Sequence, residues 1–261
     1  MEYVLIVTGC IAPENIPYLE LKDEVTRLGQ YKESLLFFIK KTDINKIVFC
    51  DNSNFPFDFS DLTDEAKKYG KHIEILQYKG NKTGVLEFGK GYGEGEIIKY
   101  IFEHSELLQS AEYFFKVTGR LKISNIDRIL EHIKVGENYF MANMYHYPSI
   151  DTRFYGVNKE LYKCYLMNVF KNVNDDKQKY LEVCFYEALQ KNKIVYRCFP
   201  FVPEIMGISG TMGQKYRRIW WPAGILESCA SRIGILNNKV VYSFIWNILK
   251  LRRCIKRKKE S

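Results

Sequence analysis

The chain has 261 residues, of which 46% are hydrophobic and 15% aromatic, and its formal net charge is +8. This length and apolar content suffice for a full hydrophobic core in one large domain, or in a domain with a small appendage. The charge is unevenly placed, because residues 247–261 hold seven Lys and Arg against one Glu and leave only +2 for the rest. A nearly neutral body argues against a nucleic-acid-binding protein, which would carry a basic face of its own.

The cysteines and the start of the chain indicate a cellular compartment. Seven cysteines are scattered through apolar segments without a Cys-x-x-Cys pair, which is typical of reduced thiols in the cytosol. The first residues lead directly into an apolar strand and lack the basic and apolar regions of a signal peptide. No run approaches the ~20 continuous apolar residues that span a bilayer. We therefore expect a cytoplasmic protein.

The apolar segments predict alternating strands and helices in the first half of the chain. Strands are expected at 2–8, 46–50, 72–78 and 113–117, and helices at 19–41, 64–70 and 94–104. Such alternation predicts an α/β fold with a largely parallel sheet, covered by helices on both faces. After residue 120 we expect helices at 125–133, 159–170 and 179–191, and strands at 139–144, 152–157 and 195–199.

Two of the predicted strands end in short polar segments. The second strand is followed by Asp51-Asn52-Ser53, and the fourth by Thr118-Gly119-Arg120. Ligands of open α/β sheets bind beyond the carboxyl ends of the strands, so both segments indicate one cleft. Asp51 has two interpretations: its carboxylate accepts hydrogen bonds from a uracil ring or ribose, or it closes an Asx-type turn out of the strand.

A glycine-broken segment precedes the helix predicted at 94–104. Gly91, Gly93 and Gly95 would let the backbone approach a phosphate or a ribose at a helix N-terminus. Glu94 and Glu96 would repel a phosphate there and would instead favour the helix dipole. We expect a loop that starts the helix, with a donor contact at Gly91 as its second role.

A second glycine-rich segment lies at 203–218. It combines Ser209, Gly210 and Thr211 with the cations Lys215 and Arg217. Backbone amides and hydroxyls followed by basic side chains can form an anion-binding loop. The segment lacks the Gly-Lys-Ser/Thr ending of a Walker A motif. A mobile glycine linker is the alternative interpretation.

On these segments the chain resembles the GT-A glycosyltransferases, particularly bacterial enzymes of capsule, O-antigen or lipooligosaccharide assembly. The likeness covers residues 1–220 and rests on the N-terminal strand, Val-Phe-Cys-Asp-Asn-Ser at 48–53, Gly-Tyr-Gly-Glu at 91–94 and Lys-Val-Thr-Gly-Arg at 116–120. Such enzymes transfer a sugar from a nucleotide diphosphate to a growing, usually lipid-linked, oligosaccharide. The resemblance implies a GT-A-like fold, a nucleotide-sugar donor and an oligosaccharide or lipid-linked acceptor.

The chain departs from this family at the metal site. Many GT-A enzymes carry Asp-x-Asp at the end of the fourth strand to hold a divalent metal, whereas the corresponding strand here ends in Thr118-Gly119-Arg120. We therefore predict no cofactor and no metal ligand, with Arg120 neutralising the diphosphate directly. A divalent metal, which no Asp-x-Asp motif supports here, is the alternative. The acidic pair Asp175-Asp176 lies in a polar turn, which we interpret as a solvated loop.

The resemblance also implies a set of site residues. The candidate catalytic bases are Glu182 and Asp151, since an inverting transfer needs one base for the acceptor hydroxyl. An exposed helix carboxylate is the alternative for Glu182. The predicted donor-binding residues are Thr8, Asp51, Asn52, Ser53, Gly91, Lys116, Thr118, Gly119, Arg120, Arg153, Ser209, Gly210, Thr211, Lys215 and Arg217.

The C-terminal segment, 221–261, is predicted to be a helical, basic appendage. An apolar stretch with Tyr242 and Trp246 precedes the cations of 250–259, a pattern typical of a helix on an anionic membrane surface. A core helix with a frayed basic end is the alternative. We expect a protein at the inner face of the plasma membrane.

For the whole chain, a non-catalytic carbohydrate- or nucleotide-binding module is the second hypothesis. It would use the same cleft without any chemistry. Release of nucleotide diphosphate from nucleotide sugars separates the two classes.

Overall fold

The computed structural model of the protein describes residues 2–13, 20–134, 136–142, 148–209, 213, 215–216, 240, 243–244 and 247. The strands are β1 (Tyr3–Gly9), β2 (Lys46–Asp51), β3 (His72–Gln77), β4 (Tyr113–Thr118), β5 (Lys122–Ile123), β6 (Tyr139–Ala142), β7 (Ile150–Asn158) and β8 (Ile205–Met206). The helices are α1 (Glu24–Lys41), α2 (Ser60–Lys68), α3 (Lys82–Phe88), α4 (Lys90–His104), α5 (Glu106–Gln109), α6 (Ile126–Leu130), α7 (Lys159–Leu161) and α8 (Leu181–Lys191).

Six of the strands form one sheet in the order β3-β2-β1-β4-β7-β6. The first four of these pair in parallel, whereas β7 runs antiparallel to β4 and β6 antiparallel to β7. Strands β5 and β8 form a separate antiparallel pair. The mostly parallel α/β sheet flanked by helices, predicted from the sequence, is confirmed.

The sheet separates two hydrophobic cores. Along β1, Val4 and Ile6 belong to the core that includes residues of α4 and α8, while Leu5 and Val7 belong to the core that includes residues of α1, α2 and α6. Side chains alternate between the two faces of a strand, so a sheet covered on both sides has apolar residues at successive positions. This explains the apolar runs at residues 4–7 of β1 and 47–50 of β2, whereas the edge strand β3 has no buried residue.

Helix α1 begins later than the sequence predicted. The expected start was residue 19, but the Asp23 carboxylate accepts a hydrogen bond of 2.7 Å from the Thr26 amide and caps the helix, which begins at Glu24. A capping carboxylate satisfies a backbone donor that has no partner within the helix. The N-cap at Asp23 therefore sets the start of α1, although the apolar residues Leu19 and Leu21 before it suggested an earlier start.

The glycine segment before α4 is helical, which corrects the predicted loop. Helix α4 begins at Lys90, so that Gly91, Gly93 and Gly95 lie within it, and the helix α3 that precedes it was not predicted. A Cβ atom on Gly95 would lie 2.1 Å from Cβ of Phe170. The glycines thus serve close packing of the helix rather than a flexible turn.

Two further predictions beyond residue 120 are wrong. The helix expected at 159–170 consists of α7, a π-helix (Tyr162–Leu166) and a 3₁₀ turn (Val169–Asn172). The strand expected at 195–199 is a single bridge between Tyr139 and Arg197. Aromatic side chains pack into both segments, and tertiary contacts there override the helix and strand preferences of the sequence.

Within the C-terminal appendage, the structure describes four residues, which are helical. Val240 is 76% exposed, and Phe244, one turn later, is 65% exposed. The domain boundary at residue 220 lies outside the described residues and stays a prediction. In the part of the chain that the structure describes, no helix has the length and apolar content needed to cross a bilayer.

The packing of α4 generates a stability prediction. Gly95→Ala should lower the free energy of unfolding by about 1–3 kcal/mol, because the new methyl group overlaps Phe170 and forces a backbone shift. The matched control is Gly29→Ala in α1, where a Cβ atom meets nothing within 4 Å, and a gain of about 0.5–1 kcal/mol is expected. Urea denaturation of both variants measures the difference. Equal effects would contradict the packing argument.

Candidate functional site

A cleft of about 320 Å³ opens at the carboxyl ends of β1, β2 and β4. Because β7 is antiparallel to β4, its first residues, Thr152 and Arg153, reach the same edge beside Thr118. Helices α3, α4 and α8 and the segment after β8 complete the walls. The volume lies within the range of small-molecule sites, which is roughly 300–1,000 Å³.

Asp51 lies beneath the cleft and does not line it. Its buried carboxylate accepts hydrogen bonds from the Ile11 amide at 2.8 Å, the Phe55 amide at 3.0 Å and the Ser53 hydroxyl at 2.8 Å. These hydrogen bonds favour the alternative interpretation, a turn-forming residue, and the contact with a donor stays a prediction. Asp51 holds together the loops that follow β1 and β2.

The strand ends contribute small polar groups to the cleft. Thr8, Asn52, Ser53 and Thr118 all line it, as the sequence predicted. Gly119 does not, because its amide donates to the Thr8 carbonyl at 2.9 Å and a Cβ atom would lie 2.4 Å from that oxygen. Its role is to let β1 and the end of β4 approach each other.

Arg120 lies in the cleft against the segment that follows β8. Its Nη1 donates to Gln30 at 3.2 Å and to the Ile208 carbonyl at 3.3 Å. Its Nε is buried and has no hydrogen-bond partner among the described residues. Ser209, which is buried, lines the cleft beside it. The structure thus brings the fourth strand and the second glycine segment into one pocket.

Arg153 lines the cleft, but its predicted neighbour Asp151 does not. The Asp151 carboxylate accepts from the backbone amide and from Nε of Arg153, each at 2.9 Å, and pairs with Nη2 as well. Both oxygens of this carboxylate are thus occupied by the Arg153 side chain. This geometry argues against Asp151 as the base. The Arg153 guanidinium stacks 4.8 Å from the centroid of the Tyr216 ring.

Glu182, at the start of α8, lines the cleft together with the carboxylates of Glu94 and Asp175. Burial raises its pKa above the ordinary value, and the charges of Glu94 and Asp151 raise it further. Thr152 donates its hydroxyl to Glu182 Oε1 at 3.2 Å, which fixes the side chain. An exposed helix carboxylate, the alternative interpretation, does not describe this environment. A partly desolvated carboxyl group with a raised pKa is suited to accept a proton.

Lys116 is fully buried under the cleft and does not line it. Its ammonium donates to Glu94 Oε1 at 2.5 Å, to the Thr152 carbonyl at 2.8 Å and to the Thr118 hydroxyl at 3.1 Å. An ammonium has three donors, so all of them are used. This geometry argues against the predicted contact between Lys116 and a donor.

The N-terminus of α4 forms one rim of the cleft. Gly91 lines it, as predicted, and a Cβ atom there would lie 2.8 Å from Leu181 Cβ. Asp175 also lines the rim, which corrects its interpretation as a solvated loop. Burial raises the pKa of Asp175, against the charge and backbone amide of Lys90.

The predicted glycine loop is only partly described. Gly210, Thr211 and Arg217 lie outside the described residues. Lys215 is exposed, bridges to Ile208 and does not line the cleft, so its predicted donor contact is not supported. No group of three or more His, Cys, Asp or Glu side chains is arranged to hold a metal among the residues with a described placement.

Sequence reasoning missed several charged residues that line the cleft, namely Arg27, Lys82, Lys90 and Glu94. Arg27 in α1 is buried and donates to the Cys10 carbonyl at 2.9 Å and the Leu21 carbonyl at 3.1 Å. It lies four residues before Tyr31, on the apolar face of the helix. A cation on that face could have indicated from the sequence that Arg27 has a buried polar role. Glu94 was assigned to a helix start, but it lines the cleft.

No protein-family model matches the chain, and no curated protein matches it. Solved structures with a similar fold include the glycosyltransferase GlyE of Streptococcus pneumoniae TIGR4, at 11% identity and a TM-score of 0.46 over 74% of this chain and 44% of that one. A glycosyltransferase involved in glycosylation of the major capsid of PBCV-1 matches at 12% identity and a TM-score of 0.42, over 75% and 80%. A nucleoside-diphosphate-sugar pyrophosphorylase of Vibrio cholerae RC9 matches at 15% and 0.38, over 73% and 88%.

This chain spans less than half of the length of GlyE. These three structures comprise two glycosyltransferases and a pyrophosphorylase, and each of their TM-scores is below 0.5. These similarities therefore do not indicate which activity this protein has.

Proposed function

We propose that this protein is a glycosyltransferase that transfers a sugar from a nucleotide-diphosphate sugar to an oligosaccharide or lipid-linked acceptor. One observation carries the proposal: Arg120, Arg153 and the carboxylate of Glu182 line a single cleft at the carboxyl edge of the sheet. Cations suit a diphosphate, and a carboxylate of raised pKa suits a hydroxyl that loses its proton.

The two arginines form the part of the cleft that fits a diphosphate. Arg153 is held by Asp151 and Tyr216, and Arg120 by Gln30 and Ile208, so both cations are positioned before a ligand arrives. Negative charge grows on the leaving diphosphate as the glycosidic bond breaks, and fixed cations stabilise that charge. We propose that they act without a metal ion. Activity that persists in EDTA would support this, and restoration by Mn²⁺ or Mg²⁺ would contradict it.

Glu182 completes the reaction for an inverting transfer. The acceptor hydroxyl attacks the anomeric carbon, a new C–O bond forms, and the bond to the diphosphate breaks. Glu182 takes the hydroxyl proton, while the electron pair of the broken bond leaves with the diphosphate. The Thr152 hydroxyl holds the carboxylate in place for this step.

The first test is Arg120→Ala. We expect kcat/KM for nucleotide-sugar turnover to fall by about 10²–10³-fold, because the variant loses a fixed cation at the leaving group. The two lost hydrogen bonds should lower the free energy of unfolding by only about 1–2 kcal/mol. Arg197→Ala, which removes a half-exposed cation paired with Glu137 outside the cleft, is the control. Release of nucleotide diphosphate is measured, and full activity of Arg120→Ala would sink the assignment.

The second test is Glu182→Gln, which should lower kcat by about 10²–10⁴-fold through loss of the base. Because folding raises the Glu182 pKa, the wild type loses stability as pH rises from the ordinary carboxyl value through the raised one. The glutamine variant lacks this loss, so it should be more stable than the wild type at pH 8 but not at pH 4.

Glu187→Gln, on an exposed part of the same helix, should change neither kcat nor stability appreciably. Thermal melts at the two pH values and product release provide the readouts. A Glu182→Gln variant that is both active and less stable at pH 8 would contradict the role of this residue.

We further propose a cytoplasmic location at the inner face of the plasma membrane, with a role in surface polysaccharide assembly. The exposed side chains of Val240 and Phe244 on successive turns, followed by the cations of 250–259, support an interfacial segment. A membrane surface is also where a lipid-linked acceptor would be found.

The membrane proposal predicts binding to anionic vesicles. Each Lys or Arg near such a surface contributes about 1 kcal/mol, so deletion of residues 250–261 should abolish the preference. Co-sedimentation with phosphatidylcholine vesicles, with and without phosphatidylglycerol, measures the effect for both forms of the protein. Equal binding to neutral and anionic vesicles would overturn the proposal.

A further inference from the structure

Glu94 is a charged residue of the cleft that has no role in the reaction proposed above. It lies on α4, lines the cleft, and keeps 24% of its side chain exposed. One carboxylate oxygen accepts from Lys116 at 2.5 Å, and no other hydrogen bond of this side chain joins it to the described residues. Glu94 therefore has an oxygen available to a ligand in the cleft.

Lys116 fixes the position of the Glu94 carboxylate. Its side chain is fully buried, and its other two protons are held by the Thr152 carbonyl and the Thr118 hydroxyl. A buried ammonium without its carboxylate would be strongly unfavourable, so Glu94 cannot turn away without a large cost. The pair presents a rigid hydrogen-bond acceptor at the floor of the cleft.

The location of Glu94 decides which part of a substrate it meets. Helices α4 and α8 meet where Gly91 lies against Leu181. Lys116 joins Glu94 to Thr152, whose hydroxyl donates to Glu182, so the two carboxylates belong to one part of the cleft. A diphosphate beside two carboxylates would be repelled, whereas hydroxyl groups donate hydrogen bonds to them. The guanidinium groups of Arg120 and Arg153 line the same cleft and suit the phosphates instead.

We infer that Glu94, positioned by Lys116, is a substrate-binding residue that accepts a hydrogen bond from a hydroxyl of the transferred sugar. The inference rests on the proposed glycosyltransferase function and deepens it, since it makes the protein selective for donors that carry that hydroxyl. Lys116 is a positioning residue in this scheme and does not contact the ligand.

The experiment compares donors with and without each hydroxyl. UDP-glucose, UDP-galactose and GDP-mannose are screened by product release and by calorimetry, and the best donor is then tested against its monodeoxy analogues. One analogue should lose roughly 10- to 100-fold in kcat/KM and in affinity, as expected for a hydrogen bond to a charged group. In Glu94→Gln the parent donor should lose a similar factor, and the same analogue should lose little more.

Two further variants make the result specific. Lys116→Met combined with Glu94→Leu removes the ion pair without leaving a buried charge, and should also lose the discrimination. Glu103→Gln, at an exposed position of the same helix, should retain it in full. A structural role for the pair would lower stability but would leave the ratio between parent and analogue unchanged.

The possible outcomes test the role of Glu94 and the proposed glycosyltransferase function separately. If each analogue loses the same factor in Glu94→Gln as in the wild type, the role of Glu94 is overturned. Turnover of the parent donor in that case still upholds the proposed function. A wild type that turns over all monodeoxy analogues as well as the parent donor also overturns the role of Glu94. A protein that neither binds nor turns over any nucleotide sugar overturns the proposed function, and this inference with it.

Discussion

The buried ammonium of Lys116 is the interaction on which the cleft depends. It joins β4, β7 and α4 at one point, through Thr118, Thr152 and Glu94. Replacing one partner of such a pair leaves a charge without solvent, which is strongly destabilising. The same contacts place Thr152 so that its hydroxyl reaches Glu182. Lys116 thus positions Glu94 of α4 directly, and it positions Thr152, which in turn holds Glu182 of α8.

Much of the fold could be predicted from the sequence. Apolar runs identified β1, β2 and most of β4, because these central strands are buried on both faces. The location of the cleft followed from the polar tips of β2 and β4, since parallel strands end at one edge. Arg120, predicted from its place at a strand tip, and Glu182, predicted from the family resemblance, both line this cleft, while their roles stay predictions.

The finer roles could not be predicted, because they depend on contacts between distant segments. Asp51 follows a strand just as a ligand-binding carboxylate would, but amides from two different loops occupy it. Asp151 pairs with Arg153 two residues away, and only the strand geometry shows that the pair is closed. The glycines of α4 resemble a loop in sequence, and the closeness of Phe170 that requires one of them is invisible there.

Helix α4 has a consequence for the order in which the protein folds. Three glycines in its first six residues each cost about 1 kcal/mol of intrinsic helix propensity relative to alanine, so this stretch is not expected to be helical in an isolated peptide. Its first turns gain their stability from Leu181 and Phe170, which come from later parts of the chain. We expect these turns to form late and to be the first part of the helix to open in the native state.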